Sequence, residues 1–356
     1  MRKTDNLALD ERSREILQWV ISTFVSTGKP VGSREIARRS REHLSAATVR
    51  NIMADLEEAG YLSQPHTSAG RFPTDKAYRA YVDSMLERHE ISPRDRAFID
   101  STLSREDSAE HLMEQTSRVL SQVSDSLGIV MSPPISRVAL QHIKFLRLSE
   151  GRIVVILISK AGSVQNRVIR PKEPFSQAEL DEAANFIGEH FKGCTLREIR
   201  TQIIRMLQEE RTRFDQLTHR VLQLSTQAFT ATEDESAAAV YLDGAANLIK
   251  RPEFSDVNRM RLLFETIDQR SRLASLLSRC IEGDSQEVRI TIGAENAFPG
   301  IEDCTLITSP YMIDERTQGS LGILGPTRME YGRAISLVEY VARLFGRVLA
   351  HQGLNR

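Results

Sequence analysis

Between Leu44 and Gly60 the apolar residues Val49, Ile52, Met53 and Leu56 recur at the spacing of a helix buried on one side. Ser45 is placed to cap the start of this helix and Gly60 to end it after about Glu58. With Val49 at zero and about 100° per residue, Asn51, Ala47 and Ala54 point away from the buried side, flanked by Arg50 and Thr48. Small residues let a helix sink into a groove, and Arg, Asn and Thr offer donors and acceptors to base edges. Ala47, Thr48, Arg50 and Asn51 also lie in the N-terminal half, where recognition helices touch bases. Taken alone, the stretch fits an ordinary amphipathic helix with a solvated face about as well. Its neighbours shift the balance.

Upstream, Pro30-Val31-Gly32 interrupts any preceding helix, and Ser33 is a good N-cap for a short helix whose apolar face is Ile36 and Ala37. Arg34, Arg38, Arg39 and Arg41 crowd this segment, as expected of a helix lying across a phosphate backbone. Downstream, a short strand from Tyr61 to Gln64 leads through turn formers to a return arm near Pro73. A polar hairpin in this place is a wing. Ser33, Arg34, Arg38, Arg39, Ser45, His66, Ser68 and Arg71 are therefore the candidate phosphate and wing contacts, although His66 by itself fits a plain surface histidine better. Residues 29–53 hold six basic side chains against two acidic ones, a net of +4, on a chain whose formal charge is −1. A basic patch on a near-neutral chain suits one localised nucleic-acid face.

The string PVGSREIA…SAATVRNIMADLEEAGYLSQPHTSAGRFPT, followed by YRAYVD, resembles the heat-inducible transcription repressors of the HrcA family. RVIRP, TIGAEN and GSLGILGPTRMEYGRAISLVEYVA extend the likeness over essentially the whole chain. Phe72 stands where that family usually has a β-branched aliphatic residue, and Ala77 where it usually has glycine. The resemblance implies a winged helix-turn-helix domain, a GAF-like domain and a dimerising domain inserted into the latter. It also implies a homodimer on an inverted-repeat DNA operator upstream of chaperone genes, relief by heat, and the GroE chaperonin as a partner that keeps the repressor competent.

Around the reader, Leu9 to about Thr27 is a helix with the stripe Ile16, Leu17, Val20, Ile21 and Phe24, and Trp19 sits at the edge of that core. Thr74 caps a further helix through Tyr78, Tyr81 and Val82, and RHEISPRDR reads as a linker, which places a domain boundary near residue 90. Residues 95–127 read as helical. Gln141–Leu148, Arg152–Ser159 and Ser163–Arg170 follow as strands, with Ser149-Glu150-Gly151 as a hairpin turn. Val288–Ile292, Thr305–Ser309 and Ser320–Leu324 are later strands, and a helix covers about Ile335–Ala350. The two strand groups are expected to form one antiparallel sheet interrupted by a mostly helical insertion. The expected class is thus α+β and multidomain, with a reader over 1–90, a GAF-like domain over 91–175 and 285–356, and a dimerisation insert over 176–284. Within the insert, Leu196 to Phe229 reads as a long helix with a seam at Phe214, Leu217, Val221, Leu224 and Ala228. That seam fits burial in its own domain and a subunit interface equally.

No apolar run reaches membrane-spanning length, and MRKTDNLALDERSRE has no signal-peptide core, so a membrane role is not expected. Cys194, Cys280 and Cys304 are far apart, which suits a reducing cytoplasm and argues against a zinc site. The glycines of GSLGILGP lack the strand, helix and acidic residue of a dinucleotide site and read as tight turns at a strand end. His190 and Cys194 are four apart without a second pair. No catalytic motif or cofactor is expected. The alternative kept open is a winged-helix regulator that binds a small-molecule effector in the GAF-like domain.

Overall fold

The computed structural model describes residues 9–39, 44–64, 70–84, 89–104, 108–133, 139–159, 164–171, 174–209, 238–281, 287–296, 298–313 and 318–354. The chain opens with α1 (Glu11–Thr27), where the Asp10 carboxylate accepts from the Ser13 backbone N at 2.7 Å. α2 (Ser33–Arg39) and α3 (Ala46–Glu58) follow. Their apolar stripes meet α1 in a core of Ile16, Leu17, Val20, Ile36, Val49, Met53 and Leu56, each at most 1% exposed. β1 (Leu62–Ser63) pairs antiparallel with β2 (Phe72–Pro73), and a bridge between Val31 and Arg71 ties the pair to the turn before α2. Gly70 makes that approach possible, because a Cβ there would lie 2.7 Å from the backbone of Pro30 and Val31. Thr74 then caps α4 (Asp75–Ser84), as its spacing predicted.

α5 (Pro93–Leu103) and α6 (Ala109–Ser124) lead into β3 (Leu127–Met131), five consecutive buried residues. The chain next forms an antiparallel meander of β4 (Leu140–Arg147), β5 (Ile153–Ser159) and β6 (Val164–Ile169). α7 (Gln177–His190) and α8 (Leu196–Glu209) cover one face of it. Phe145, Val155, Leu180, Ile187, Phe191, Ile199 and Ile203 form its separate core. The chain returns with β7 (Val240–Asp243), α9 (Ala245–Ile249), α10 (Val257–Asp268) and α11 (Arg270–Ile281). β8 (Arg289–Ile292), β9 (Cys304–Met312), β10 (Gln318–Pro326) and α12 (Tyr331–Leu354) complete it.

The principal sheet has the order β7-β3-β10-β9-β8, antiparallel throughout. α6 and α12 cover one face and α10 and α11 the other, giving three layers. This corrects the expected domain plan. The two strand groups form two sheets, and the inserted unit begins after β3, with its own strands. Residues 238–281 belong to the principal domain, not to the insert. The cause lies in β3 and β7. LGIVM is a short continuous apolar run at the end of a helical stretch, and VYLD has four residues, so neither has a period that distinguishes strand from helix. GSLGILGP is buried inside β10 rather than at a turn beyond a strand. Of the long helix expected from Leu196, α8 is the described part, and the seam from Phe214 to Ala228 lies outside the described residues.

Candidate nucleic-acid interface

α3 is held by its cap and by one buried stripe. The Ser45 hydroxyl accepts from the Thr48 backbone N at 3.1 Å and lies 2.9 Å from the Thr48 hydroxyl. Val49, Met53 and Leu56 face inward, whereas Ala47, Thr48, Arg50, Asn51 and Ala54 are all exposed. All four candidate base-reading residues therefore share one open face. Arg34 and Arg38 are exposed on α2, and neither they nor Arg50 has a hydrogen bond or ion pair among the described residues. Arg39 is exposed too, with Nη1 donating to Thr23 Oγ1 at 2.9 Å.

One expectation changes here. Ser33 is the first residue of α2 rather than its cap, because the Gly32 carbonyl already accepts from the Glu35 and Ile36 backbone N–H groups. Arg71 is 14% exposed and its Nε donates to Glu57 Oε2 at 2.7 Å. Through this pair it fastens the wing to α3. His66, Ser68 and Arg41 lie outside the described residues. Trp19 packs half-buried at the core edge as expected. Phe72 sets its ring 6.4 Å from that of Phe24, so the aromatic residue ties the wing to α1. Ala77 is fully buried. Lys76, which sequence reasoning passed over, donates to the Ala59 carbonyl at 2.8 Å and places its ammonium 4.5 Å from the Tyr61 ring centroid. A cation there complements the C-terminal end of α3.

The reader is joined to the principal domain by one continuous apolar core and a set of polar contacts. Arg79 on α4 donates through Nε to Glu295 Oε1 at 2.8 Å and through Nη2 to Glu295 Oε2 and the Ile290 carbonyl. Burial pushes the Glu295 carboxyl up, but hydrogen bonds from Arg79 and the Ile292 backbone N, with the guanidinium charge, outweigh it and hold the carboxyl below its ordinary range. Asp75 accepts from the Ala294 backbone N at 3.0 Å. The adjacent Gly293 has φ +55°, and a Cβ there would collide with the Asp75 carboxylate. Tyr78 lies against Tyr331 with centroids 5.6 Å apart, and burial drives its phenol pKa upward. Arg328 donates through Nε to Glu253 and through Nη1 to the Val25 carbonyl, near the end of α1, at 3.0 Å. The partners that cross between the reader and the principal domain are all more than 200 residues apart in sequence, and no local pattern could have paired them.

The family model for winged helix-turn-helix HrcA DNA-binding repressors matches residues 8–86, and that for the HrcA C-terminal domain matches residues 110–335. The chain belongs to the HrcA family. A heat-inducible transcription repressor HrcA from Geobacter sulfurreducens is 42% identical, covering 96% of this chain and 98% of its own. One from Syntrophobacter fumaroxidans is 36% identical, covering 97% and 99%. A hypothetical protein whose crystal structure was solved at 2.2 Å covers 97% of this chain and 99% of its own, with TM-score 0.58 and 21% identity, a likeness of fold. α3 falls within residues 8–86, the part that matches the winged helix-turn-helix family model. No helix among the described residues is long and apolar enough to cross a membrane.

Proposed function

We propose that the chain is a heat-inducible repressor of chaperone operons that binds an inverted-repeat operator as a homodimer in the cytoplasm. The observation that carries this reading is the exposed face of α3, where Ala47, Thr48, Arg50 and Asn51 stand clear of a buried stripe. These residues read base edges. Arg34, Arg38 and Arg39, with the start of α2 at Ser33 and of α3 at Ser45, contact phosphates, and His66 and Ser68 extend the contact through the wing. Arg71 serves by holding the wing against α3.

A two-fold operator requires a two-fold protein. The insert supplies a partly apolar face for that contact. On the side of its sheet away from α7 and α8, Leu146, Val154 and Val168 stand in register, as do Ile158 and Val164, with His142, Lys144 and Asn166 among them and Val164 63% and Val168 55% exposed. Exposed Val164 and Val168 on a mixed face of this kind support a protein-protein contact, and a second copy is the occupant that operator symmetry calls for. The family resemblance adds the GroE chaperonin, which keeps the repressor competent until unfolded protein draws it away.

The test is operator binding by the purified full chain at two salt concentrations, against a scrambled site, with and without the chaperonin. The reading predicts preference for the inverted repeat, a steep loss of affinity with salt and improvement by the chaperonin. No preference over scrambled DNA, from demonstrably folded protein, overturns it. Preference without a chaperonin effect leaves the repressor and removes the chaperonin from its control. The small-molecule-responsive reading is favoured by one feature, a cavity at the joint between reader and principal domain.

A further inference from the structure

Between the end of α1, the end of α6 and the start of α12 lies a cavity of about 310 Å³, lined by Arg251, Arg328 and Arg333. Its volume is at the lower end of the range for small-molecule sites. Each guanidinium is anchored through only part of its fork. Arg251 gives Nη2 to the Asp125 carboxylate and carbonyl, at 2.9 and 3.2 Å. Arg328 gives Nε to Glu253 and Nη1 to Val25. Arg333 gives Nη2 to Asp95 at 3.1 Å and to the Val123 carbonyl at 3.3 Å. The Nε of Arg251 is buried and has no partner among the described residues. A buried guanidinium N–H without an acceptor is costly, and most such groups find a partner. Three forks fixed by protein carboxylates and carbonyls, with further N–H groups left over, form a preorganised receptor for a tetrahedral oxyanion. Val25, Val123, Ile323 and Leu337 give the wall an apolar part, beside Ser124, Ser126, Asp125 and Glu330.

We infer that this cavity is a binding site for a small phosphorylated molecule, the phosphate held by Arg251, Arg328 and Arg333 and an apolar body against Val123 and Leu337. Asp125 and Glu330 are the two carboxylates on the wall; Asp125 orients Arg251, while Glu253 and Asp95 hold Arg328 and Arg333. The anion would be held by the N–H groups that the three forks leave over, not by a net positive charge, because the paired carboxylates offset the guanidinium charges. The site spans both domains, because Val25 belongs to the reader and its carbonyl is held by Arg328. Nothing in this inference rests on DNA recognition, and its test contains no DNA.

The test uses thermal unfolding and calorimetry of the full chain with inorganic phosphate, phenyl phosphate and phenol as probes. Saturable stabilisation by phenyl phosphate, weaker by inorganic phosphate and absent with phenol, is expected. The exposed arginines of α2 and α3 could also hold phosphate, so location is tested by substitution. Arg251→Met and Arg333→Met should each weaken binding about tenfold, as expected for loss of a charge-assisted hydrogen bond. Arg50→Ala should leave it unchanged, and Arg251→Lys, which keeps the charge, provides a folded control if Arg251→Met does not fold. Stabilisation lost in Arg50→Ala but kept in the cavity variants would place the phosphate on the reader and overturn the proposal. So would no saturable stabilisation by either phosphate at millimolar concentration.

Discussion

The arginines of the reader and those of the joint differ in what they touch, although the sequence writes both as the same letter. Arg34, Arg38 and Arg50 are exposed and have no partner among the described residues. Arg79 and Arg328 are drawn into ion pairs and carbonyl contacts that tie α4 and α1 to the principal domain. Arg79 donates through all three of its nitrogens and has little left for an outside partner, Arg328 keeps Nη2 without a partner among the described residues, and an unpaired exposed guanidinium costs nothing in the free protein and gains a phosphate or a base on binding. Arg71 belongs with the joint by this measure, despite its place in the wing. The comparison thus assigns a role by environment rather than by position in a motif.

The sharpest way to break the comparison is Arg328→Ala. Arg328 is 18% and Glu253 24% exposed, so removing the cation strands a mostly buried carboxylate and leaves the Val25 carbonyl without its donor. A loss of about 3 kcal/mol in unfolding free energy is expected, the low end for a broken buried pair because water reaches both groups. Denaturant unfolding measures it, and a loss below about 0.5 kcal/mol would move Arg328 among the ordinary surface residues. Arg50→Ala is its counterpart on the reader. Stability should stay within about 0.5 kcal/mol, while discrimination between operator and scrambled DNA should fall by about 1–3 kcal/mol if the side chain is bidentate on a base. Equal weakening on both DNAs would make Arg50 a phosphate contact.

How much was legible in the sequence follows the same division. The reader is built from contacts close along the chain, so the α3 stripe, its Ser45 cap, the exposed Asn51 and Arg50, and the wing strands all follow from spacing. The principal sheet is built from distant pairings, with β3 between β7 and β10. Nothing local in LGIVM announces that Ile129 will face Leu242 on one side and Gly322 on the other. The insert was misplaced for that reason: its three strands looked like the first half of the same sheet. The pairing of Arg71 was not legible because its partner, Glu57, lies on the other arm of the motif, and a charged wing residue looks the same in the sequence whether it is paired or free.

Glu295 sharpens the joint half of the comparison through pH. Its folded carboxyl titrates below the ordinary value of 4.5, because Arg79 and the Ile292 N–H outweigh the cost of burial. A depressed carboxylate contributes stability that is fully present above the unfolded pKa and is lost as pH falls through the folded one. The carboxylate is more than a third exposed, so screening limits the contribution to about 1 kcal/mol. Wild type and Glu295→Gln should therefore differ by that amount near neutral pH and converge as the pH falls from the ordinary carboxyl value through the lower folded one. A gap that persists undiminished at lower pH would mean that the ion pair is not its source.

The smallest expected effect is Tyr78→Phe, and it tests whether the joint is held by its charges or by its packing. The Tyr78 hydroxyl is buried with no hydrogen-bond partner among the described residues, while the ring lies against Tyr331. Burying a hydroxyl without a partner is unfavourable, so removing it should cost nothing and can stabilise by up to about 1 kcal/mol. The ring contact, worth about 0.5–1.5 kcal/mol, is kept by Phe and lost in Tyr78→Ala. A neutral or stabilising Tyr78→Phe beside a destabilising Tyr78→Ala would show that the aromatic face, with Arg79 and Arg328 on either side, holds the reader in place. Destabilisation by Tyr78→Phe would mean that the hydroxyl finds an acceptor in solution and that the aromatic face is not what holds the reader in place.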